Sequence, residues 1–525
     1  MCELSVRKLS ATAGVLAAAM LLASCAVGPD FVHPAAPDVS RYTKEPLTPR
    51  TSSTDAPTGR PQRFVQGRDI AQEWWRMFKS PALNALIERA LNNNPNLQSA
   101  IVTLRAANQA VYAQEGKFFP LIQGNFNPTY NQTAAALAPI PNSGASIYAL
   151  HTAQLQVSYT LDIWGLNRRT VESLQAVADS QRFQVEAAYL TLVSNIAVAA
   201  INEASLRAQI EATNQLIDIN TRMLDVLRKQ LDTGYANRND VALQEAALAQ
   251  VKATLPPLRK ALQQNRDLLS ALAGAYASEE PHETFRLADL QLPPDLPVSL
   301  PSQLIEQRPD VRMAQEQLHS ASALVGVATA NILPTFTISA NAGYMNTLLA
   351  GLLAPQNLFF SLAGNATQTV LDGGTLLHEL QEAKDTYNAV AWNYRGTVVG
   401  AVQNVADSLR ALQNDADALK AARDFERASR ISFDLARQQI QAGNANILIL
   451  LTAQQTYLQA IIQVVQARAA RLTDTAALYQ ALGGGWWNRT APLTEKILDV
   501  GTGQAEPVSE KDKEEGFLRG LWPFH

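Results

Sequence analysis

Residues 335–345, TFTISANAGYM, decide the fold, because apolar and uncharged polar side chains alternate along the whole stretch. The same period of two runs through residues 121–131 (LIQGNFNPTYN), 154–162 (QLQVSYTLD) and 358–370 (LFFSLAGNATQTV). Alternation over about ten residues, with Asn, Gln, Ser and Thr as the polar set, is typical of strands in a membrane-spanning barrel whose lumen holds water. A half-buried sheet of a soluble domain is the alternative interpretation.

The four strands are distributed over two halves of the chain that are similar to each other. Five landmarks recur at an offset of 209 to 214 residues: Pro95 and Pro309, Pro120 and Pro334, Asp162 and Asp372, Gly234 and Gly443, and Leu272 and Leu482. This period is too long for a solenoid unit and indicates a duplicated half-protein. Each half thus contributes one pair of strands set among helices.

Four strands are too few to close a barrel. Bacterial membrane barrels begin at about eight strands, and an open edge in lipid leaves backbone groups unpaired at a cost of several kcal/mol each. The missing strands must therefore come from other copies of the chain. Two or three copies would give a closed barrel with an even number of strands.

Long helical segments fill much of the remainder of both halves. Residues 164–231 and 375–441 contain no proline, and one continuous helix of that length would span roughly 100 Å. Small and medium apolar residues recur at spacings of three and four, which favours close-packed coiled-coil helices with one wet face. The expected fold class is therefore mostly α-helical with membrane β-strands.

Composition and punctuation divide the chain into six segments. They are a lipoprotein signal peptide (1–24), an extended N-terminal segment (25–80), a first structural repeat (81–277), a linker (278–300), a second structural repeat (301–482) and a C-terminal extension (483–525).

The N-terminus indicates export and lipidation. Arg7 and Lys8 precede an apolar run that ends in Leu-Ala-Ser-Cys25, which resembles a bacterial lipobox. The resemblance implies a diacylglycerol and an N-acyl chain on Cys25 as the only covalent group, and outer-membrane delivery, since Ala26 rather than Asp follows. An ordinary signal peptide or an uncleaved anchor, with an incidental Cys25, is the alternative. Cys2 lies in the removed segment, so the mature chain can form no intramolecular disulfide.

Composition argues against several functional classes. The net charge of −4 on 525 residues is nearly neutral and speaks against nucleic-acid binding. The six histidines are scattered, and the helix motif HELQE at residues 378–382 lacks the second His of a zinc protease. No catalytic set, metal site or phosphate-binding loop is indicated, so we expect a protein that is not an enzyme.

An ordered set of motifs resembles the TolC-like outer-membrane efflux family, in its lipoprotein subgroup. The motifs are CAVGPDF (25–31), WWRMFKSPAL (74–83), LDGG (371–374) and ALGGGW (481–486). Ser80 stands where the family often has Asp. The resemblance implies a homotrimer with a twelve-stranded outer-membrane β-barrel, continued by a periplasmic α-barrel of long antiparallel helices. It also implies docking to a periplasmic membrane-fusion adaptor and an inner-membrane pump.

The resemblance places the periplasmic constriction where paired helices turn, at residues 234–241 and 443–454. Leu448 falls on a position that forms an apolar ring in the family, whereas Thr452 replaces the usual Asp of an acidic ring. Asp240 and Arg238 are candidates for charged latches between helices. Ordinary helix–turn packing is the alternative for all four residues.

The predicted function is a passive exit duct in the outer membrane of a Gram-negative bacterium. It would conduct drugs or other toxic small molecules from an adaptor and inner-membrane pump to the exterior. One alternative is the outer-membrane duct of a type I protein-secretion system. A structural periplasmic coiled-coil lipoprotein is the other.

Overall fold

The computed structural model describes residues 26–39, 41–134, 146–442 and 447–489. These residues form two compact units. The sheet unit contains the described residues up to Pro34 together with Leu104–Gln181 and Ala314–Tyr394. The helical unit contains Ala35–Thr103, Arg182–Met313 and the described residues from Arg395 onward. Each unit therefore combines segments from both predicted repeats. The signal peptide, Cys25, Gly443 and residues 490–525 lie outside the described residues.

Nine α-helices account for most of the described chain. They are α1 (Pro81–Asn93), α2 (Pro95–Glu115), α3 (Leu166–Asp232), α4 (Arg238–Ala253), α5 (Leu255–Leu272), α6 (Pro301–Gln307), α7 (Pro309–Asn331), α8 (Thr375–Gln441) and α9 (Ile447–Ala481). The two long helices, α3 and α8, have 67 residues each, close to the predicted proline-free segments. Pro256 and Pro257 lie in the first turn of α5, where no intrahelical N–H partner is lost.

Six β-strands form two sheets in the described residues. They are β1 (Arg63–Gln66), β2 (Leu121–Thr133), β3 (Ser146–Leu161), β4 (Asp295–Val298), β5 (Thr335–Asn346) and β6 (Leu358–Thr367). The short strands β1 and β4 pair in parallel in the helical unit. The other four form one antiparallel sheet in the order β2-β3-β5-β6 in the sheet unit. The four strands predicted from alternation are thus neighbours in a single sheet.

Two strand boundaries differ from the prediction by three residues or more. β3 begins at Ser146 instead of residue 154, because residues 146–153 pair with β2 although apolar side chains occupy both of their faces. β6 ends at Thr367 instead of residue 370, because its partner β5 begins at Thr335. Pro334 precedes β5 and has no N–H with which to extend the ladder. The Gln368 side chain caps this end by donating to the carbonyl oxygen of Ile332 at 3.0 Å.

Aromatic residues from distant parts of the sequence share the core of the helical unit. The rings of Trp74 and Tyr479 stack with their centroids 5.3 Å apart, and both side chains are buried. The predicted end of the last helix is confirmed, because α9 stops at Ala481 and Gly483, Gly484 and Gly485 all have positive φ. A Cβ on Gly483 would collide with the carbonyl oxygen of Gln307, and one on Gly485 with that of Ile70. The glycine run therefore permits a close approach that any larger residue would block.

A fully buried arginine fixes the N-terminal segment against α9. The Arg471 guanidinium donates to the carbonyl oxygens of Thr58 at 2.6 Å and Arg60 at 3.1 Å. It also donates to the side chains of Gln62 at 3.2 Å and Thr51 at 3.3 Å. Because a buried charge is costly without partners, these bonds make the segment from Thr51 to Gln62 part of the fold rather than a loose extension.

Two carboxyl groups meet beside this arginine at the contact of α8 with α9. Asp415 faces Asp474. The Asp415 Oδ2 atom is buried, and it gains a hydrogen-bond partner in the described residues only if one of the two carboxyl groups is protonated. Burial first, and the Asp474 carboxyl second, raise the pKa of Asp415 to about 7, while Arg471 acts in the opposite direction. The folded protein therefore holds this proton more tightly than the unfolded chain does.

The raised pKa predicts that the α8–α9 contact is more stable at acidic pH. Its stabilisation should be lost as pH rises from about 4 to about 7, and should change little above that range. Between pH 5.5 and pH 8 we expect a loss of about 1–2 kcal/mol, discounted because Asp415 is only partly buried. Hydrogen exchange, corrected for intrinsic rates, should show protection around Asp474 falling about 5- to 30-fold. Asp415→Asn should remove this pH dependence, whereas Asp424→Asn, on the exposed face of the same helix, should retain it.

Candidate functional site

The strand register sorts the four-stranded sheet into two chemically different faces. One face carries mainly apolar residues: Ile122, Phe126, Leu155, Val157, Tyr159, Phe336, Ile338, Ala340, Tyr344, Leu358, Phe360 and Leu362. The other carries mainly uncharged polar residues: Gln123, Asn125, Asn127, Gln154, Gln156, Ser158, Thr160, Thr335, Thr337, Ser339, Asn341, Ser361 and Asn365. The predicted alternation is therefore maintained across all four strands. A sheet of this kind can separate lipid on one side from water on the other.

The apolar face is exposed in the single chain. Phe360 is 83% exposed, Leu362 75% and Ile122 64%. None of the four strands contains Asp, Glu, Lys or Arg. A soluble protein rarely exposes a contiguous apolar surface of this kind, so a hydrocarbon environment is the natural cover.

The two edges of the sheet are open. Among the described residues, β2 pairs with β3 alone and β6 pairs with β5 alone. Each edge strand therefore presents a row of backbone N–H and C=O groups without a strand partner. Lipid can satisfy neither group, so the edges need strands from another chain.

Two of the described helices also contain stretches that are long and apolar enough to cross a bilayer, judged by length and composition alone. They are α3 and α9. In α3, 61% of that stretch is buried within the protein, as in the core helix of a soluble domain. In α9 the buried share is 33%. The charge-free sheet combines an exposed apolar face with strands of membrane-spanning length, so it is the better candidate for the membrane-spanning part.

The helical unit contains a second candidate region, where the ends of α3 and α8 pack with the beginnings of α4 and α9. We call it the tip cluster. Its buried residues are Met223, Leu224, Leu227, Val241, Leu248, Phe433, Ala436, Ile440, Ile447, Leu450 and Ala453. Phe433 stacks on Tyr457 with ring centroids 5.5 Å apart. The helices that flank the two predicted turns therefore share one four-helix core.

Polar contacts also cross the tip cluster. The Gln244 side chain is fully buried and donates to the Asn220 side-chain oxygen at 3.0 Å and to its carbonyl oxygen at 3.2 Å. This pair links α3 to α4. The sequence alone does not reveal this pair, because a single Gln on a helix carries no signal of its partner.

The predicted gate residues occupy different environments. Leu448, in the first turn of α9, is 53% exposed although its neighbours Ile447 and Leu450 are buried. The Thr452 hydroxyl donates to the Leu448 carbonyl oxygen at 2.9 Å, so it bonds to its own helix. The exposed apolar side chain is therefore available to meet another chain. The rest of the second motif, residues 443–446, lies outside the described residues.

Asp240 and Arg238 lie at the start of α4. The Asp240 side chain accepts from the Asn237 backbone N–H at 3.3 Å, while the Asn237 side chain accepts from the Asp240 N–H at 2.9 Å. This reciprocal capping box explains Asp240 without any second helix. Arg238 is exposed. Among the described residues, no hydrogen bond or ion pair joins Arg238 or Asp240 to Thr452.

The segment that follows Cys25 is seated closely in the sheet unit. The Val27 N–H donates to the Trp164 carbonyl oxygen at 3.0 Å. A Cβ on Gly28 would collide with the Cα of Gly326, and one on Gly165 would lie 2.7 Å from the Cβ of Ala26. Backbone therefore packs directly on backbone at the junction of β3 and α3.

Charged and aromatic groups also hold residues 27–33 in this position, which we call the N-terminal seat. The buried Arg169 guanidinium donates to Asp30 at 2.7 Å, to the Val27 carbonyl oxygen at 3.2 Å and to Glu172 at 2.8 Å. Phe31 stacks on His319, whose Nε2 lies 3.1 Å from Glu172. The lipobox is recognisable in the sequence, but these contacts are not, since the partners are more than a hundred residues apart.

Metal chemistry has no visible basis in the described part of the chain. No group of three or more His, Cys, Asp or Glu side chains there could hold a metal ion.

The two aspartates at the strand–helix junctions serve as caps. Asp162 accepts from the Asn167 and Arg168 N–H groups, and Asp372 from those of Gly374 and Leu376.

Comparisons with known proteins agree with this arrangement. The model of the outer membrane efflux protein family matches residues 86–275 and 300–484. The toluene efflux pump outer membrane protein TtgC of Pseudomonas putida is 26% identical, covering 91% of this chain and 96% of its own length. The pyoverdine export outer membrane protein OpmQ of Pseudomonas putida is 28% identical over 79% of this chain and 88% of its own.

A solved structure shares the fold. The Campylobacter jejuni CmeC outer membrane channel superposes with a TM-score of 0.78 at 20% identity, covering 94% of this chain and 98% of that one. The family consists of channels rather than enzymes, in agreement with the prediction that this protein is not an enzyme. The chain belongs to the outer membrane efflux protein family and is the outer-membrane channel component of an efflux pump.

Proposed function

We propose that three copies of this chain join their four-stranded sheets into one twelve-stranded barrel and their long helices into a periplasmic tunnel. The open edges of the sheet carry this proposal. β6 of one copy would pair with β2 of the next, which satisfies both rows of backbone groups and places the polar face toward the bore. Two copies would form an eight-stranded barrel, and side chains fill the interior of a barrel of that size. Three copies would form a twelve-stranded barrel, which is wide enough for solutes to pass.

The proposed cargo is a range of small toxic solutes, including apolar ones. The relatives are named for the efflux of toluene and the export of pyoverdine, and this breadth fits a bore lined by generic Asn, Gln, Ser and Thr. No group for nucleotide binding was identified in the sequence. A periplasmic adaptor and an inner-membrane pump would therefore supply the energy and most of the selectivity.

The trimer can be tested by trapping the proposed β6–β2 contact. Asn125→Cys in β2 and Ser361→Cys in β6 should together allow a short bismaleimide to link neighbouring copies in outer membranes. Denaturing gels should then show species of one, two and three chains and nothing larger. Each single variant and the unsubstituted protein should remain one chain. A doubly substituted protein that stays a single chain, or that forms a ladder beyond three, would contradict the proposed closure.

Lipidation of Cys25 is the second part of the proposal. Ala26 is seated against Gly165 at the junction of β3 and α3, so an acyl group on the preceding residue would enter the bilayer beside the inner end of the sheet. Arg169 holds the following residues in place. The lipid would therefore anchor each copy next to the barrel wall rather than through a flexible tether.

Gly28→Ala should release the N-terminal seat. The new Cβ would collide with the Gly326 backbone, and Ala is also strained at the φ of 95° that Gly28 adopts. We expect hydrogen exchange in residues 27–33 to rise at least tenfold. Gly67→Ala is the matched control, because Gly67 also has positive φ but its Cβ would meet no atom within 4 Å. Equal protection of residues 27–33 in both variants would refute the seat.

Leu448 is proposed as the apolar ring that closes the periplasmic end. One exposed leucine from each of three copies could narrow and dewet the bore, and adaptor docking would spread the tip helices. Thr452, which bonds to its own helix, makes an acidic cation-binding ring unnecessary in this proposal. Asp240 and Arg238 would act only through the start of α4.

Leu448→Ser should raise the single-channel conductance of the protein in planar bilayers, because a polar ring no longer excludes water. Ile449→Ser is the matched control, since Ile449 is 54% exposed on the same helical turn. Only the Leu448 variant should show the increase. Unchanged conductance in Leu448→Ser, or an equal increase in both variants, would remove Leu448 from the gate.

A further inference from the structure

The loop between β5 and β6 has an unusual composition for a hairpin connection. Residues 347–357, TLLAGLLAPQN, contain no charged side chain. Leu348 is 68% exposed, Leu349 60% and Leu353 70%. Hairpin loops in water are normally polar, because exposed leucines gain nothing from solvent. These exposed leucines therefore indicate that another molecule covers this loop, which we call the leucine loop.

The leucine loop has a defined backbone conformation that internal hydrogen bonds stabilise. The Leu352 N–H donates to the Leu349 carbonyl oxygen at 3.2 Å, and the Ala354 N–H donates to that of Gly351 at 3.0 Å. The Asn357 side chain donates to the same Gly351 oxygen at 2.9 Å. Leu352 is buried and forms the interior of the loop. The other three leucines are thus held on its outside by backbone geometry.

The register of the sheet sets the level of this loop. Leu161 pairs with Phe336 at one end of the β3–β5 ladder, and His151 pairs with Asn346 at the other. Ten residues of strand rise about 34 Å, or about 26 Å in height at a tilt of about 40°. The apolar band of a bacterial barrel is about 25 Å tall. The leucine loop therefore begins at the outer boundary of that band.

The other hairpin of the sheet extends further. β3 continues from His151 to Ser146 and pairs there with residues 129–133 of β2. The β2–β3 hairpin thus passes the level at which β5 ends. The leucine loop is by comparison a short connection at the membrane surface.

The leucine loop is also continuous with the apolar face of the sheet. Tyr344 and Leu358, which flank it, are paired directly and belong to that face. Leu358 and Phe360 at its return are 58% and 83% exposed. The lipid that covers the apolar face would therefore extend to the loop. Moving exposed leucines into hydrocarbon is favourable in proportion to the apolar area removed from water.

We propose that the leucine loop is a lipid-contacting surface, with Leu348, Leu349 and Leu353 inserted among the acyl chains of the outer leaflet. The inserted loop sets the depth of the barrel at its outer end, as the lipid on Cys25 would at its inner end. This surface goes beyond the duct function, since it concerns the bilayer rather than the cargo.

Site-specific quenching tests this placement. Leu349→Cys is labelled with the fluorophore NBD, and the protein is reconstituted into phosphatidylcholine vesicles. Leu362→Cys, on the apolar face of β6, and Asn365→Cys, on its polar face, serve as matched controls. We expect Leu349 to follow Leu362, with several-fold stronger quenching by nitroxide-labelled phosphatidylcholine than by iodide. Leu353→Cys, at a second exposed position of the loop, should behave in the same way.

Three results would overturn the proposal, and each has a different meaning. A label at residue 349 that follows Asn365 would place the loop in water or over the bore. A label protected from both quenchers would mean that a second copy of the chain covers the loop. If the two controls on β6 also failed to differ, the sheet itself would not have a lipid face, and the proposed barrel would fail rather than the loop alone.

Discussion

A β-sheet edge cannot remain open in hydrocarbon, and the rest of this structure depends on that constraint. The β2 and β6 edges each present backbone N–H and C=O groups that no other strand of the described residues pairs. Lipid cannot form hydrogen bonds with these groups. Every such group left in lipid costs several kcal/mol, so two open edges together would cost more than the roughly 5–15 kcal/mol by which a domain is typically stable. In the proposed barrel, assembly is therefore part of the folding of the sheet unit. The long helices, by contrast, satisfy their backbone groups internally.

Local pattern was sufficient to predict the sheet and the long helices. In β5 the alternation of Phe336, Ile338 and Ala340 with polar neighbours fixes both strand and register, since a shift of one residue would exchange the two faces. It failed at the outer part of β3, where Ile147, Leu150 and Ala153 place apolar residues on both faces. Pairing with β2, a tertiary contact, decides that stretch.

Contacts over long sequence separations could not be predicted in the same way. Arg169 and Arg471 are both buried arginines, and each binds backbone carbonyl groups of the extended N-terminal segment. A guanidinium carries five N–H donors and stays charged when buried. It can therefore donate hydrogen bonds to several carbonyl groups of a chain segment that has no secondary structure of its own. In the sequence these residues are two among many on helix surfaces. Only the fold shows that a buried arginine in each unit binds the part of the N-terminal segment that lies there.

The tip cluster explains the environment of Thr452, where the resemblance to the efflux family led us to expect Asp. Leu450 and Ile447 are buried in the cluster, which orients the turn of α9 so that Leu448 lies outward. The Thr452 hydroxyl bonds to the Leu448 carbonyl oxygen four residues earlier, which an ionised carboxylate, having only acceptors, could not do. The position is therefore neutral and self-satisfied. In the proposed gate, closure at this end would therefore rest on apolar contact between the Leu448 side chains of neighbouring copies rather than on a ring of bound cations.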